Sequence, residues 1–135
     1  MKQPKFDLEG IDRETFFPFI LRDARDNKEF PDIRLEFSDT DWLRSRYKDK
    51  PYLHTQIYNC YDIQGLVIAT RVLNNLEPVT EGMHLNSESS TCYIHFIDYE
   101  ECCQTADLCS RMIQSEELLH KAITLSEANE YWDWD

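Results

Sequence analysis

Residues 32–37 read Asp32-Ile33-Arg34-Leu35-Glu36-Phe37, an unbroken alternation of charged and apolar side chains. Successive side chains of an extended strand point to opposite faces, so Ile33, Leu35 and Phe37 share one face. The pattern therefore predicts a strand with one face in the core and one face toward solvent.

Strands are predicted on both sides of it. The aromatic and apolar run at residues 15–21 predicts a strand with Pro18 at its start or at a sheet edge, because proline has no N–H to donate. The charged residues 22–29 predict a connector. Residues 83–88 and 91–97, separated by two serines, predict a hairpin.

The middle of the chain predicts one helix and leaves one segment open. Asp62 is the predicted N-cap of an apolar helix over residues 63–76, and Pro78 is expected to stop that helix. Residues 52–61 are compatible with either a helix or a short strand. Residues 38–50 are strongly polar and carry Arg44, Arg46, Lys48 and Lys50.

Two helices are predicted in the last third of the chain. Asp98 is the expected N-cap of a helix over residues 99–114, and Ser115 starts another that runs to about residue 129. Together these elements predict an α+β fold, a single domain over residues 1–135 with a small antiparallel sheet packed against three or four helices. The polar residues 1–14 are expected to be loosely ordered.

Five cysteines and no apolar leader at the N-terminus predict reduced thiols and a cytoplasmic location. Cys102 and Cys109 fall on one side of the predicted 99–114 helix, with Ala106 and Ile113, and are expected in the core. Cys92 and His95 lie on opposite faces of their strand and are not expected to share a metal. No catalytic residue, metal or cofactor is predicted.

Negative charge is concentrated in the second half of the chain. Residues 77–135 contain 13 Asp and Glu against only Arg111 and Lys121, whereas residues 1–76 contain 13 against 12 Lys and Arg. Such a field attracts cationic surfaces and repels nucleic acid and anionic membranes. The imbalance predicts a basic protein partner; the alternative is that the acidic bias only keeps the protein in solution.

Acidic and aromatic residues of the two C-terminal helices and the tail are the candidate contacts for that partner. Large aromatics supply binding energy, and carboxylates complement Lys and Arg. Two alternatives stay open: the carboxylates form a solvated face, and the tryptophans dock back onto the domain. The candidates are Glu100, Glu101, Asp107, Glu116, Glu117, Glu127, Glu130, Trp132, Asp133, Trp134 and Asp135.

Several motifs resemble those of the small immunity proteins that bacteria encode beside polymorphic or contact-dependent growth inhibition toxins. They are the early Phe17-Pro-Phe-Ile-Leu21 run, the Asp62-Ile-Gln-Gly65 opening of the central helix, and Asn86-Ser-Glu88 leading into the 92–97 strand. The resemblance implies a non-enzymatic cytoplasmic inhibitor that binds a cognate toxin domain. The toxin is expected to be a basic nuclease, since nucleases need cationic clefts for phosphate.

Two other functions are compatible with the sequence. The first is an acidic mimic of nucleic acid that occupies a DNA- or RNA-binding cleft, although the nearly neutral first half speaks against it. The second is a small thiol- or metal-dependent enzyme that uses Cys102, Cys103, Cys109 and a histidine. No catalytic or phosphate-binding motif in the sequence supports the enzyme.

Overall fold

The computed structural model describes residues 2–54 and 56–135. Met1 and Thr55, which fall within the predicted lead-in and the ambiguous segment 52–61, lie outside the described residues. The fold is α+β, as predicted, with an antiparallel sheet in the order β1-β2-β3-β5-β4. Its strands are β1 (Ile11–Asp12), β2 (Ile20–Ala24), β3 (Asp32–Phe37), β4 (Met83–Leu85) and β5 (Cys92–Phe96).

Helices pack on one face of the sheet. Three of them have 14 or 16 residues, and a 3₁₀ turn follows the last of these near the end of the chain. The helices are α1 (Thr40–Arg46), α2 (Pro51–His54), α3 (Cys60–Leu73), α4 (Tyr99–Gln114), α5 (Glu116–Asn129) and the 3₁₀ helix Tyr131–Asp133. None of them combines the length and apolar character that crossing a membrane requires, within the residues described.

The central strand β3 has the predicted alternation. Ile33, Leu35 and Phe37 are fully buried. Leu35 lies opposite Ile94 of β5, so the apolar faces of the two strands are continuous. Full burial of such a side chain contributes about 1.5–3 kcal/mol. Helices α3 and α4 pack against β3 and β5, so the core lies between this sheet face and those two helices.

The strand predicted over residues 15–21 is displaced toward the C-terminus. β2 begins at Ile20 and runs to Ala24, into the segment predicted as a connector. Residues 15–19 instead form turns, in which the Phe19 N–H donates to the Phe16 carbonyl and the Thr15 N–H to the Asp12 carboxylate. These local hydrogen bonds use groups that a strand would have paired with its neighbour.

Part of the lead-in that was predicted to be loosely ordered belongs to the sheet. Ile11 and Asp12 form β1 and are both buried. The Asp12 carboxylate accepts the Lys5 N–H at 2.8 Å, which ties the preceding residues to this strand. Hydrogen bonds to backbone groups at Asp12 therefore extend order toward the N-terminus.

The central helix α3 begins and ends three residues earlier than predicted. Its N-cap is Asn59, not Asp62, and Asp62 is the third helical residue of a reciprocal capping box with Asn59. At the other end Asn75 has a left-handed backbone, φ 63°, which stops the helix ahead of Pro78.

The polar stretch 38–50, for which no helix was predicted, contains α1. Asp39 caps this helix, and Leu43 is its one buried residue among those described. Helices α4 and α5 have their predicted boundaries and caps. The Asp98 side chain accepts the Glu101 N–H, and the Ser115 hydroxyl accepts the Leu118 N–H.

Candidate partner-binding groove

A groove of about 660 Å³ lies between the start of α3, the end of α5 and the C-terminal tail. Its floor includes Ile57, Leu66 and Ile123, which are buried. Its walls are aromatic and acidic, and they include five of the residues singled out in the sequence: Glu127, Trp132, Asp133, Trp134 and Asp135. The groove is therefore the place where the predicted tail residues converge.

The tail reaches this position because α3 has a glycine where the two backbones meet. A Cβ atom on Gly65 would lie 2.3 Å from the Ser126 hydroxyl and 2.9 Å from the Trp132 nitrogen. Any larger residue would force the tail away from the helix. Because Gly65 has no side chain, the main chain of the tail contacts α3 at this turn. The adjacent Gln64 donates a 2.8 Å hydrogen bond to the Trp134 carbonyl.

Within the tail, the aromatic rings divide between core and surface. Tyr131 is buried against the domain, and its ring meets that of Trp134 edge to face at 5.0 Å between centroids. Trp132 and Trp134 each remain 41% exposed. The tail therefore docks onto the domain while leaving two indole surfaces available in the groove.

The carboxylates of the groove have no cationic neighbour among the described residues that line it. Glu127, Asp133 and Asp135 are exposed, and none takes part in an ion pair within the described residues. Asp62 differs, because its carboxylate accepts the N–H groups of Tyr58 and Asn59 at the start of α3. The groove thus presents uncompensated negative charge beside exposed aromatic rings.

Among the described lining residues, three that are aromatic or acidic were not predicted as contacts. Tyr58 is 77% exposed and Tyr61 is 40% exposed, and both border the groove together with Asp62. All three lie in or beside the segment 52–61, whose structure the sequence left open. The Asn59 cap, followed three residues later by Asp62, was the signal that would have fixed the position of the tyrosines.

Glu130 lies between α5 and the tail and is strained. It is exposed and has a left-handed backbone conformation, with φ 53° and ψ 40°. Glycine is the usual residue at this position after a helix. Glu130 does not line the groove, although it sets the direction in which the tail leaves α5.

Glu101, also a predicted contact, is bound within the domain. Its carboxylate accepts hydrogen bonds from Arg71 at 3.0 Å and from the Thr80 hydroxyl at 2.6 Å. The Arg71 side chain is only 2% exposed and also donates to the Thr105 hydroxyl and the Glu77 carbonyl. This network joins α3, α4 and the loop after α3, so Glu101 is a structural residue.

Asp107 also forms an ion pair within the domain. It is 8% exposed and pairs with Arg111 one turn later on α4. Glu100, on the same face, is exposed and belongs to no ion pair among the described residues. On this face of α4, Glu100 is therefore the one predicted contact without an ion pair among the described residues. It lies beside a shallow depression that also contains Leu108.

The acidic residues at the start of α5 are partnered too. Glu116 accepts hydrogen bonds from the Tyr52 hydroxyl and from Lys50, and these contacts lower the pKa of its carboxyl. Glu117 pairs with Lys121 at 3.2 Å. Lys50 belongs to the basic stretch 38–50, which here neutralises part of the acidic half.

The predicted contacts consequently do not form one surface. They divide among the groove, the α4 face and the start of α5. The starts of α4 and α5 are separated by the length of α4, about 24 Å. The acidic residues of the second half of the chain therefore do not gather into one patch. Of the predicted contacts, those in the groove combine carboxylates without ion pairs among the described residues with exposed tryptophan rings.

A second polar cluster lies on the outer face of the sheet. His95 Nδ1 is 2.9 Å from an Asp32 oxygen, and Arg34 contacts the other oxygen at 3.0 Å. The ring of His84 lies 5.9 Å from that of His95. Cys92, three residues before His95, points into the core, so the two lie on opposite faces as predicted.

All five cysteines are buried and unpaired. Burial raises the pKa of the Cys92 thiol to about 12 and raises those of Cys102 and Cys109 as well. A nucleophilic cysteine needs the opposite shift. These thiols pack in the core, as the helical spacing of Cys102 and Cys109 predicts.

Comparisons with protein-family models, with curated proteins and with solved structures returned no match for this chain. The geometry of the groove and the charges around it are accordingly the basis on which a function is assigned.

Proposed function

We propose that this protein is a non-enzymatic immunity protein that binds and neutralises a cognate toxin domain in the cytoplasm. The toxin domain is basic, with a nuclease as the leading candidate. The groove between α3, α5 and the tail is its docking site. The observation that carries the proposal is the convergence of exposed Trp132 and Trp134 with Glu127, Asp133 and Asp135 in one concave surface, where these carboxylates have no ion pairs among the described residues.

Partly exposed tryptophans in a pre-formed concavity are the residues that most often dominate protein interfaces. Here their positions are fixed before binding, because Gly65 and Gln64 seat the tail against α3. A pre-organised surface loses less conformational entropy on association than a mobile tail would lose. The groove therefore has the properties of a binding site.

Charge favours a basic partner. Free carboxylates at the rim of the groove accelerate encounter with a cationic surface and set its orientation. A nuclease presents such a surface, because its cleft must bind phosphates. Inhibition then follows if the immunity protein covers that cleft or its entrance.

Burial of the cysteines argues against the thiol enzyme. The raised pKa values of Cys92, Cys102 and Cys109 keep the thiols protonated near neutral pH. Pairing of Glu101, Asp107, Glu116 and Glu117 with cations argues against a nucleic-acid mimic, which needs an extended array of free carboxylates. Both considerations support a protein-binding role.

The proposal expects a large secreted protein that ends in a variable basic domain to be encoded beside this chain, and the test is co-expression with that domain. We expect relief of toxicity and a stoichiometric complex whose dissociation constant rises with ionic strength. Replacing Trp134 with alanine is expected to weaken binding about 30-fold, the effect of losing a hot spot of about 2 kcal/mol.

Phe30→Ala is the matched control. Phe30 is 70% exposed and does not line the groove, so this substitution removes an exposed ring elsewhere on the surface. Its binding should equal that of the unmodified protein. Failure to relieve toxicity, or equal losses from Trp134→Ala and Phe30→Ala, would contradict the proposal.

A further inference from the structure

The polar groups of the groove are all anionic or neutral. The described lining residues include Asp62, Glu127, Asp133 and Asp135 but no Lys, Arg or His. Asp62 accepts two backbone N–H groups at Oδ2, which leaves its Oδ1 and the other three carboxylates as acidic acceptors for a ligand. A ligand that fits this groove must bring its own positive charge.

Aromatic rings stand beside these carboxylates. Tyr58, Tyr61, Trp132 and Trp134 are each at least 40% exposed and border the same space. Trp134 is held in place by the edge of Tyr131 and, through its carbonyl, by Gln64. Its orientation is therefore set before a ligand arrives.

Carboxylates and indole rings together select one kind of cation. A guanidinium is planar, stacks on aromatic faces and donates two parallel hydrogen bonds to a carboxylate. An ammonium is compact, strongly hydrated and forms neither contact as well. We propose that the groove binds arginine side chains from a short basic segment of the partner, in preference to lysine; this inference rests on the proposed immunity function.

The size of the groove fits a short segment. Its volume of about 660 Å³ falls within the range of pockets that enclose compact ligands, about 300–1,000 Å³. The apolar floor formed by Ile57, Leu66 and Ile123 accommodates the methylene stem of an arginine while the guanidinium reaches the acidic rim. The remaining surface of the partner would lie outside the groove.

The experiment compares two capped pentapeptides by calorimetry and tryptophan fluorescence. One contains two arginines separated by glycine, and the other has lysine at both positions. We expect the arginine peptide to bind about fivefold more tightly than the lysine peptide, which corresponds to one favourable cation–π contact. Asp133→Asn with Asp135→Asn should weaken arginine binding about tenfold or more, since two charge-assisted hydrogen bonds are lost.

The matched control is Glu100→Gln with Glu117→Gln, which removes the same charge outside the groove. Its affinity for the arginine peptide should stay within about twofold of the parent, because those carboxylates are exposed and screened by salt. Equal binding of the two peptides would overturn the inference. So would an equal loss in the control pair, or no binding of the arginine peptide at about 1 mM.

The proposed function fails by different results. If the complete toxin domain binds and loses affinity on Trp134→Ala while the peptides show no arginine preference, only the inference is wrong. If the peptides show the preference but the toxin domain does not bind, the groove chemistry stands and the immunity assignment falls.

Discussion

The side-chain amide of Gln64 donates a 2.8 Å hydrogen bond to the main-chain carbonyl of Trp134, which lies 70 positions later in the chain. The bond anchors the tail at its exposed end, while Gly65 allows the contact at Trp132. Helix α3 therefore positions the tail through two consecutive residues. The aromatic wall of the groove exists only when both contacts form.

Replacing Gly65 with alanine is expected to displace the tail and destabilise the protein by about 1–3 kcal/mol, the usual cost of overpacking. The added methyl would overlap the Ser126 hydroxyl and the Trp132 nitrogen. Urea denaturation and the fluorescence of the native state measure the two effects. Gly82→Ala is the control, because a Cβ there meets nothing closer than 3.7 Å among the described residues. Equal stability of Gly65→Ala and the parent would refute this account of the tail.

Replacing Arg71 with methionine should destabilise the protein by about 3–5 kcal/mol, since it breaks a buried ion pair and leaves Glu101 without its cation. Glu101→Gln, which keeps a hydrogen-bond acceptor for Arg71, should cost less. Thermal and urea unfolding provide the measurement. Arg44→Met removes an exposed arginine whose one ion pair among the described residues is long, 4.0 Å, and is expected to be nearly neutral. A small effect of Arg71→Met would show that the network contributes little.

Replacing Glu130 with glycine should stabilise the protein by about 0.5–1 kcal/mol, because glycine adopts the left-handed conformation without steric cost. Glu127→Gly, three residues earlier and within α5, should have the opposite effect and cost about 1 kcal/mol. The free energies of unfolding of the two variants test the sign. Destabilisation by both substitutions would mean that the Glu130 side chain itself makes a favourable interaction.

Stability should decrease as the pH rises above about 8.5, the ordinary pKa of a cysteine. Above that pH the unfolded chain loses thiol protons that the native state retains, since burial raises the pKa of Cys92 to about 12. The unfolded state then binds fewer protons, and each further pH unit costs about 1.4 kcal/mol per such thiol. Urea titrations at two alkaline pH values measure the slope, and Cys92→Ala should reduce it. An unchanged slope in that variant would contradict the argument.

Much of the fold follows from local patterns. The alternation at residues 32–37 identifies the central strand, and the caps Asp98 and Ser115 identify the starts of the last two helices. Local hydrogen bonds explain two of the errors. The Asp12 carboxylate organises turns where aromatic content predicts a strand, and Asn59 caps α3 in place of Asp62.

The candidate site depends on contacts that no local pattern records. The composition of the tail identifies Trp132, Trp134 and their acidic neighbours as candidates. The contacts that hold the tail on α3 come from residues far away in the sequence. The pairing of the charges is also non-local. Arg71 and Lys50 belong to the nearly neutral half, yet they neutralise Glu101 and Glu116 of the acidic half. Net charge per segment cannot reveal such pairs.

The sheet order puts its two shortest strands, β1 with two residues and β4 with three, on the outside. Each of these edge strands exposes very few unpaired main-chain groups to which a neighbouring molecule can add a strand. Fibril growth by edge addition therefore has little template, even though the inner strands β3 and β5 are strongly apolar on one face. Concentrated preparations should remain dispersed for as long as the helices stay closed over that face.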